Sequence, residues 1–161
     1  MANAIHQSGA SRVIKAQARE LYDAFVDPGA LVEWLPPGNM SGEMHEFDAR
    51  VGGGYRMSLY YPESETTARG KTGAKEDMVR VRFLELNPPA SIVEAVTFVS
   101  DNAAFGGEMT MTITFDPVAA GTEVGVWFDN LPPGLRAEDN DEGARLSLAQ
   151  LASRFEREHE G

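Results

Sequence analysis

The segment from Arg12 to Pro37 constrains the fold more than any other part of the chain. The β-branched pair Val13 and Ile14 predicts a short strand over Ser11–Ala16. A helix is predicted next, from Ala18 to Val26, because its apolar residues recur on one helical face. Proline at position 28 ends that helix, since the residue before a proline disfavours helical geometry. One more short helix, Ala30–Leu35, is predicted before the double proline Pro36-Pro37.

Six further strands are predicted downstream, because apolar and polar residues alternate in each of them. The alternation is cleanest where Met109, Met111, Ile113 and Phe115 oppose three threonines. A polar segment, Pro62–Asp77, predicts a long loop. The predicted strands are Glu43–Val51, Tyr55–Tyr61, Met78–Leu86, Ile92–Val99, Glu108–Phe115 and Thr122–Phe128.

A single long helix is predicted to close the chain. Asp139–Asp141 offers N-cap residues for it, and one apolar stripe runs along it through Ala144, Leu148, Leu151, Ala152 and Phe155. Strands joined by short turns predict an antiparallel sheet. The sequence therefore predicts an α+β domain over residues 10–158, with residues 1–9 as a flexible N-terminus.

Charge and composition exclude several classes of function. The formal net charge is −11, and the stretch between Phe83 and Leu135 contains no Lys or Arg, so neither nucleic acid nor an anionic membrane surface is an expected partner. The chain has no cysteine, which excludes disulfides and thiolate chemistry. Without a signal-peptide pattern, the expected location is cytoplasmic. No cofactor is predicted.

Several of these motifs together resemble the SRPBCC (START/Bet v 1-like) superfamily, and within it the bacterial proteins similar to the activator of Hsp90 ATPase. The resemblance covers Ser11 to about Glu158. It is carried by Arg12-Val13-Ile14, Ala18-x-x-Leu21-Tyr22-x-Ala24-Phe25-x-Asp27-Pro28, Leu31-x-x-Trp34, Val51-Gly52-Gly53-Gly54-Tyr55-Arg56-Met57, Gly121-Thr122-Glu123-Val124 and the final helix.

The resemblance implies a helix-grip fold, in which a curved seven-stranded antiparallel sheet wraps around the C-terminal helix. The two short helices then plug one end, and an apolar or amphipathic ligand occupies the cavity between sheet and helix. Many relatives carry a Gly-Trp pair at the start of the final helix. This chain has Gly143-Ala144 there, which leaves more room or shifts the helix.

Two residues are weak candidates for acid–base catalysis. His45 is one, because the unperturbed pKa of a histidine side chain lies near neutrality and suits a general base. Glu94 lies among apolar residues of a strand, where an inward carboxyl would have a raised pKa. An outward Glu94 is favoured, because Val93, Ala95, Thr97 and Val99 can equally fill the core. No helical i, i+4 pair of histidines occurs, so no metal site is predicted.

The predicted ligand-binding set is apolar and aromatic, because Met adapts to irregular shapes and Tyr and Trp add polar atoms to apolar walls. The direction of Trp127 is left open, since Val124, Val126 and Phe128 alternate against it. The set comprises Trp34, Tyr55, Met57, Tyr61, Phe98, Met109, Met111, Trp127, Leu148 and Leu151.

Binding of an apolar or amphipathic small molecule is the function favoured by the sequence, with the ligand unidentified. The Pro62–Asp77 loop is a candidate lid, whose Arg69, Lys71 and Lys75 would attract an anionic group. The alternatives are a regulatory protein linked to the chaperone Hsp90, and a cyclase-like or dehydrase-like enzyme using the same cavity. A homodimer and a bacterial Hsp90 homologue stay open as partners.

Overall fold

The computed structural model describes residues 6–62, 76–99 and 103–160, with side chains up to residue 156. Seven strands and three α-helices follow one another in the predicted order, and one 3₁₀ turn lies at Ala103–Phe105. The elements are β1 (Ser8–Ile14), α1 (Ala18–Phe25), α2 (Pro28–Trp34), β2 (Ser41–Asp48), β3 (Gly54–Tyr60), β4 (Glu76–Asn87), β5 (Ser91–Phe98), β6 (Met109–Val118), β7 (Gly121–Asp129) and α3 (Ala137–Glu160).

The strands form one antiparallel sheet in the order β1-β7-β6-β5-β4-β3-β2. Strands β2 to β7 are sequential neighbours, and only β1 crosses over to pair with the last strand. The long α3 packs on this sheet with all five residues of its predicted stripe buried. The predicted α+β helix-grip architecture is thus confirmed. No helix in the described part of the chain is long and apolar enough to cross a membrane.

Helices α1 and α2 each begin at a residue whose side chain can bind the free backbone amides of the first helical turn. Gln17 and Glu20 form a capping box at the start of α1. Asp27 caps α2 by accepting from the amide of Gly29 at 2.9 Å. The Trp34 indole then donates to the carbonyl oxygen of Ala24 at 3.0 Å, which ties the two helices together at one end of the sheet.

Two side chains of α3, Gln150 and Ser147, bind the C-terminal end of α2. Gln150 Nε2 donates to the carbonyl oxygens of Trp34 and Pro36 at 2.7 and 2.8 Å, and its Oε1 accepts from the amide of Gly38 at 2.9 Å. Ser147 donates to the carbonyl of Leu35 at 2.7 Å. The carbonyls left free at the end of α2 are therefore bound by α3.

Two of the boundaries that differ from the sequence prediction share one reason. Strand β1 begins at Ser8 instead of Ser11, and α3 begins at Ala137, before the predicted cap at Asp139–Asp141. Asp141 lies inside the helix and accepts from the Ser8 hydroxyl at 2.5 Å and the Gly9 amide at 2.8 Å. This carboxylate binds the start of β1 instead of capping its own helix.

Candidate ligand-binding cavity

A cavity of about 810 Å³ lies between the inner face of the sheet and α3. Its walls come from β3, β4, β5, β6 and β7 on one side and from α3 on the other, and Phe25 and Trp34 close one end. The volume is in the range of small-molecule sites. Eight of the ten predicted ligand-binding residues line it: Trp34, Tyr55, Met57, Tyr61, Phe98, Met109, Met111 and Leu148.

Exposed lining residues mark the opening of the cavity. They come from the segment after α2, with Gly38 and Asn39, from Arg136 just before α3, and from the first turns of α3, with Asp139 and Glu142. Ala144 lies further in, where it is buried and also lines the cavity. The small residue noted at the start of the final helix therefore faces the cavity.

Trp127 and Leu151 do not line the cavity, contrary to the prediction. Trp127 points to the outer face of the sheet, where its ring lies over Gly9 and Gly125 and stacks on His6 at 5.8 Å between centroids. The inward alternation of Val124, Val126 and Phe128 explains this direction. Leu151 is fully buried in the core.

Glu94 faces the cavity, and the favoured outward orientation is wrong. Its side chain is only 2% exposed and lies on the cavity wall. Glu94 shares the inner face with Ile92 and Val96, because the even-numbered residues of β5 point inward. Across the strands, Glu94 pairs with Phe83 on one side and Met111 on the other.

The environment of Glu94 favours its neutral form. Burial raises the pKa of this carboxyl from 4.5 to about 8. No hydrogen bond or ion pair to it occurs among the described residues. Burial, followed by the charge of Glu94, holds the pKa of the Tyr55 phenol well above its ordinary value. A protonated carboxyl and a neutral phenol are therefore the polar groups at this depth.

A second carboxyl lies on the cavity wall nearer the beginning of β4. Asp77 is 3% exposed and accepts a hydrogen bond of 2.9 Å from the Tyr61 hydroxyl. Sequence analysis placed Asp77 at the end of a polar loop, whereas it belongs to β4. Asp77 is two residues before Val79 and four before Val81, and this period of two is the signal that could have placed it in the inner row of β4.

His45 lies on the opposite face of the sheet from Glu94. Its Nε2 is 2.8 Å from the Ser58 hydroxyl, which in turn donates to Glu76 at 2.7 Å. Ser58 alternates with Met57 and Leu59, both of which line the cavity. The two catalytic candidates are therefore not brought together, and no acid–base pair of His45 and Glu94 forms.

Two further expectations concern the lid and metals. Residues 63–75, with Arg69, Lys71 and Lys75, lie outside the described residues. Within residues 6–62, 76–99 and 103–160, no three His, Asp or Glu side chains converge as a metal ion would require.

The sheet, the two plugging helices and the cavity under α3 define a helix-grip protein of the SRPBCC type. The model of the family described as "Activator of Hsp90 ATPase homolog 1-like protein" matches residues 15–156. The chain belongs to this family. No curated protein matches the sequence.

Solved structures agree with this assignment. A crystal structure of a protein from Chromobacterium violaceum is 33% identical, with a TM-score of 0.79 over 90% of this chain and 93% of that one. The AHSA1 protein from Silicibacter pomeroyi is 18% identical, with a TM-score of 0.75 over 94% of this chain and 98% of the other. The AHSA1-like protein from Aeromonas hydrophila is 14% identical, with a TM-score of 0.69 over 94% and 92%. The latter two similarities show the fold alone.

Proposed function

We propose that this protein binds an apolar or amphipathic small molecule in the cavity between the sheet and α3. The observation that carries the proposal is the cavity itself, which measures about 810 Å³ and has Met and aromatic walls. Such walls combine apolar area with a few polar atoms that orient a ligand. The family and the fold suggest a ligand-binding or a regulatory role, and the cavity supports the first of these.

The test uses N-phenyl-1-naphthylamine, a neutral apolar molecule whose fluorescence rises in apolar surroundings. We expect saturable binding by the wild-type protein together with thermal stabilisation. A ligand at about 100 times its Kd adds about 2.7 kcal/mol to the free energy of unfolding, which corresponds to a Tm increase of about 5–10 °C for a chain of this size. If the fluorescence does not saturate and the Tm does not shift, the proposal is contradicted.

A substitution inside the cavity shows whether the probe binds there. Ala144→Trp introduces the residue that many relatives carry at this position and fills space beside the ligand. We expect the affinity for N-phenyl-1-naphthylamine to fall about tenfold or more, because the added ring occupies the site. Arg145→Trp is the matched control, since Arg145 is exposed and its ion pair with Glu142 lies on the surface. Equal loss in both variants would place the probe elsewhere.

The family description favours a second candidate, regulation of an Hsp90-type ATPase. The test is the ATPase rate of a bacterial Hsp90 homologue with and without this protein. Stimulation that survives Ala144→Trp would separate this role from the cavity. An unchanged rate and no binding would exclude it for that homologue.

A further inference from the structure

We propose that the cavity selects apolar molecules that carry a basic nitrogen, and that Glu94 binds this nitrogen. The inference rests on the proposed function and names the chemical class of its ligand. It assigns to Glu94 the role of a ligand-binding residue instead of a catalytic one.

Glu94 has no hydrogen-bonding or ionic partner among the described residues. It is 2% exposed, lies on the cavity wall, and contacts no donor or cation among the described residues. Buried polar groups in native proteins are hydrogen-bonded as a rule, because an unpartnered one costs free energy. A donor that arrives with the ligand would supply the missing partner.

The second argument is the charge of the cavity lining. Four carboxyl groups of the described residues line it: Glu94 and Asp77 on the wall, and Asp139 and Glu142 at the opening. The single cationic side chain of the described lining is Arg136, which is exposed and bound to Glu138 at 2.9 Å. The carboxylates at the opening therefore favour the entry of a cation over that of an anion.

The third argument is the surroundings of Glu94 on each neighbouring element. Phe83 on β4 and Met111 on β6 are its cross-strand neighbours, and Tyr55 on β3 is the titratable group close to it. The titratable groups that α3 contributes to the lining are at the opening. An ammonium group bound here would be desolvated beside a carboxylate, and aromatic rings line the same cavity.

Binding of an amine should release the proton of the Glu94 carboxyl. In the empty cavity at pH 7 the Glu94 carboxyl keeps its proton, because its pKa is about 8. An alkylamine arrives as the ammonium form and binds as an ammonium–carboxylate pair, so the carboxyl proton is released to solvent. Affinity for the amine should then rise with pH up to about 8 and fall above the pKa of the amine itself.

The experiment compares three ligands that share one ring system. 1-Naphthylmethylamine, 1-naphthalenemethanol and 1-naphthoate each displace N-phenyl-1-naphthylamine from the wild-type protein at pH 7.5. We expect the amine to bind about tenfold or more tightly than the alcohol, and the acid to bind most weakly. Glu94→Gln should remove most of the advantage of the amine while leaving the alcohol within about threefold.

Controls separate this inference from the proposed function. Glu123→Gln changes an exposed carboxyl on β7 and should preserve the ranking. Calorimetry of the wild-type protein at pH 7, in buffers of different ionisation enthalpy, should show about one proton released per amine and none for the alcohol. This measurement does not depend on the folding of any variant.

Three outcomes would overturn the selectivity for amines: equal binding of amine and alcohol, an unchanged preference in Glu94→Gln, or no proton release. In each case binding of N-phenyl-1-naphthylamine would still support the cavity as a ligand site. If that probe itself fails to bind the wild-type protein, the proposed function fails, and this inference fails with it.

Discussion

Leu84 determines which residues of β4 share the inner face of the sheet with Glu94. Near the turn, Leu86 pairs with Ile92 and Glu85 with Val93, but one position further on Phe83 pairs with Glu94. Leu84 is therefore the extra residue of a β-bulge, and it is 37% exposed. Strand β4 switches its inward row at this point, from Leu86 to Phe83, while β5 keeps the same row throughout.

The two apolar rows of β5 explain why the orientation of Glu94 could not be predicted from the sequence. A regular hairpin extended from the turn would pair Leu84 with Glu94 and place both opposite to Phe83. Alternation along β5 alone fits either face, because both rows are rich in apolar residues. The bulge in β4 leaves no signal in a single sequence that would resolve this choice, and Glu94 was therefore assigned to the wrong face.

Substitution of Glu94 should change the pH dependence of stability. The folded state has the higher pKa, so it binds more protons than the unfolded chain between about pH 4.5 and pH 8. Stability from this group is therefore complete below pH 4.5 and is lost as the pH rises through 8. Relative to Glu94→Gln, the wild-type protein should lose up to about 5 kcal/mol across this range.

Urea unfolding of both proteins at a series of pH values measures this difference. Glu123→Gln serves as the exposed control and should follow the wild-type curve. A constant difference between wild type and Glu94→Gln from pH 5 to pH 8 would show that the folded-state pKa is not raised.

Two glycine substitutions should have opposite effects on stability. A Cβ at Gly125 would lie 2.5 Å from Trp127 Nε1 and 2.8 Å from Thr114 Oγ1, so Gly125→Ala displaces the outward Trp127 and should cost about 1–3 kcal/mol. A Cβ at Gly143 meets nothing within 4 Å, and this glycine lies inside α3. Gly143→Ala should therefore stabilise by about 0.5–1 kcal/mol. Thermal unfolding measures both, and equal signs would contradict this account.

At the scale of elements, order and type followed from the sequence with little loss. Alternation identified all seven strands, and proline and aspartate marked the break between α1 and α2. Among the boundaries that shifted, those of β1 and α3 are set by a contact distant in sequence, between Asp141 and Ser8. Such contacts join residues that no local pattern relates, which is why the ends of β1 and α3 were misplaced.

Helix α3 should depend on Gln150 for its attachment to α2. Gln150→Leu keeps the size of the side chain and removes three hydrogen bonds to the segment that ends α2. We expect a loss of about 1–3 kcal/mol, because two carbonyls and one amide lose their partner. The same substitution should also accelerate hydrogen exchange of the Gly38 amide, which loses its acceptor.

The control for Gln150→Leu is Arg145→Ala on the exposed side of α3. Its ion pair with Glu142 is largely exposed and contributes little. If Gln150→Leu is as stable as this control, solvent must replace the lost hydrogen bonds without cost.

At the scale of the whole molecule, the net charge of −11 opposes compaction. Raising NaCl from about 20 to 300 mM shortens the screening length and weakens this repulsion. The Tm without ligand should therefore rise by about 2–5 °C. Scanning calorimetry with matched glycerol controls would measure this, and a fall in Tm would show that attractive surface ion pairs dominate.

The bulge at Leu84 also bears on how a cavity of this kind can change over generations. A point substitution alters one side chain of the wall, whereas the loss or gain of one residue in a strand exchanges an entire inner row for the outer one. Descendants of the same ancestral sheet could therefore acquire or lose an acidic wall through a single codon deletion, with every remaining codon intact. Alignments of such chains would need to be anchored on strand register before their cavities are compared.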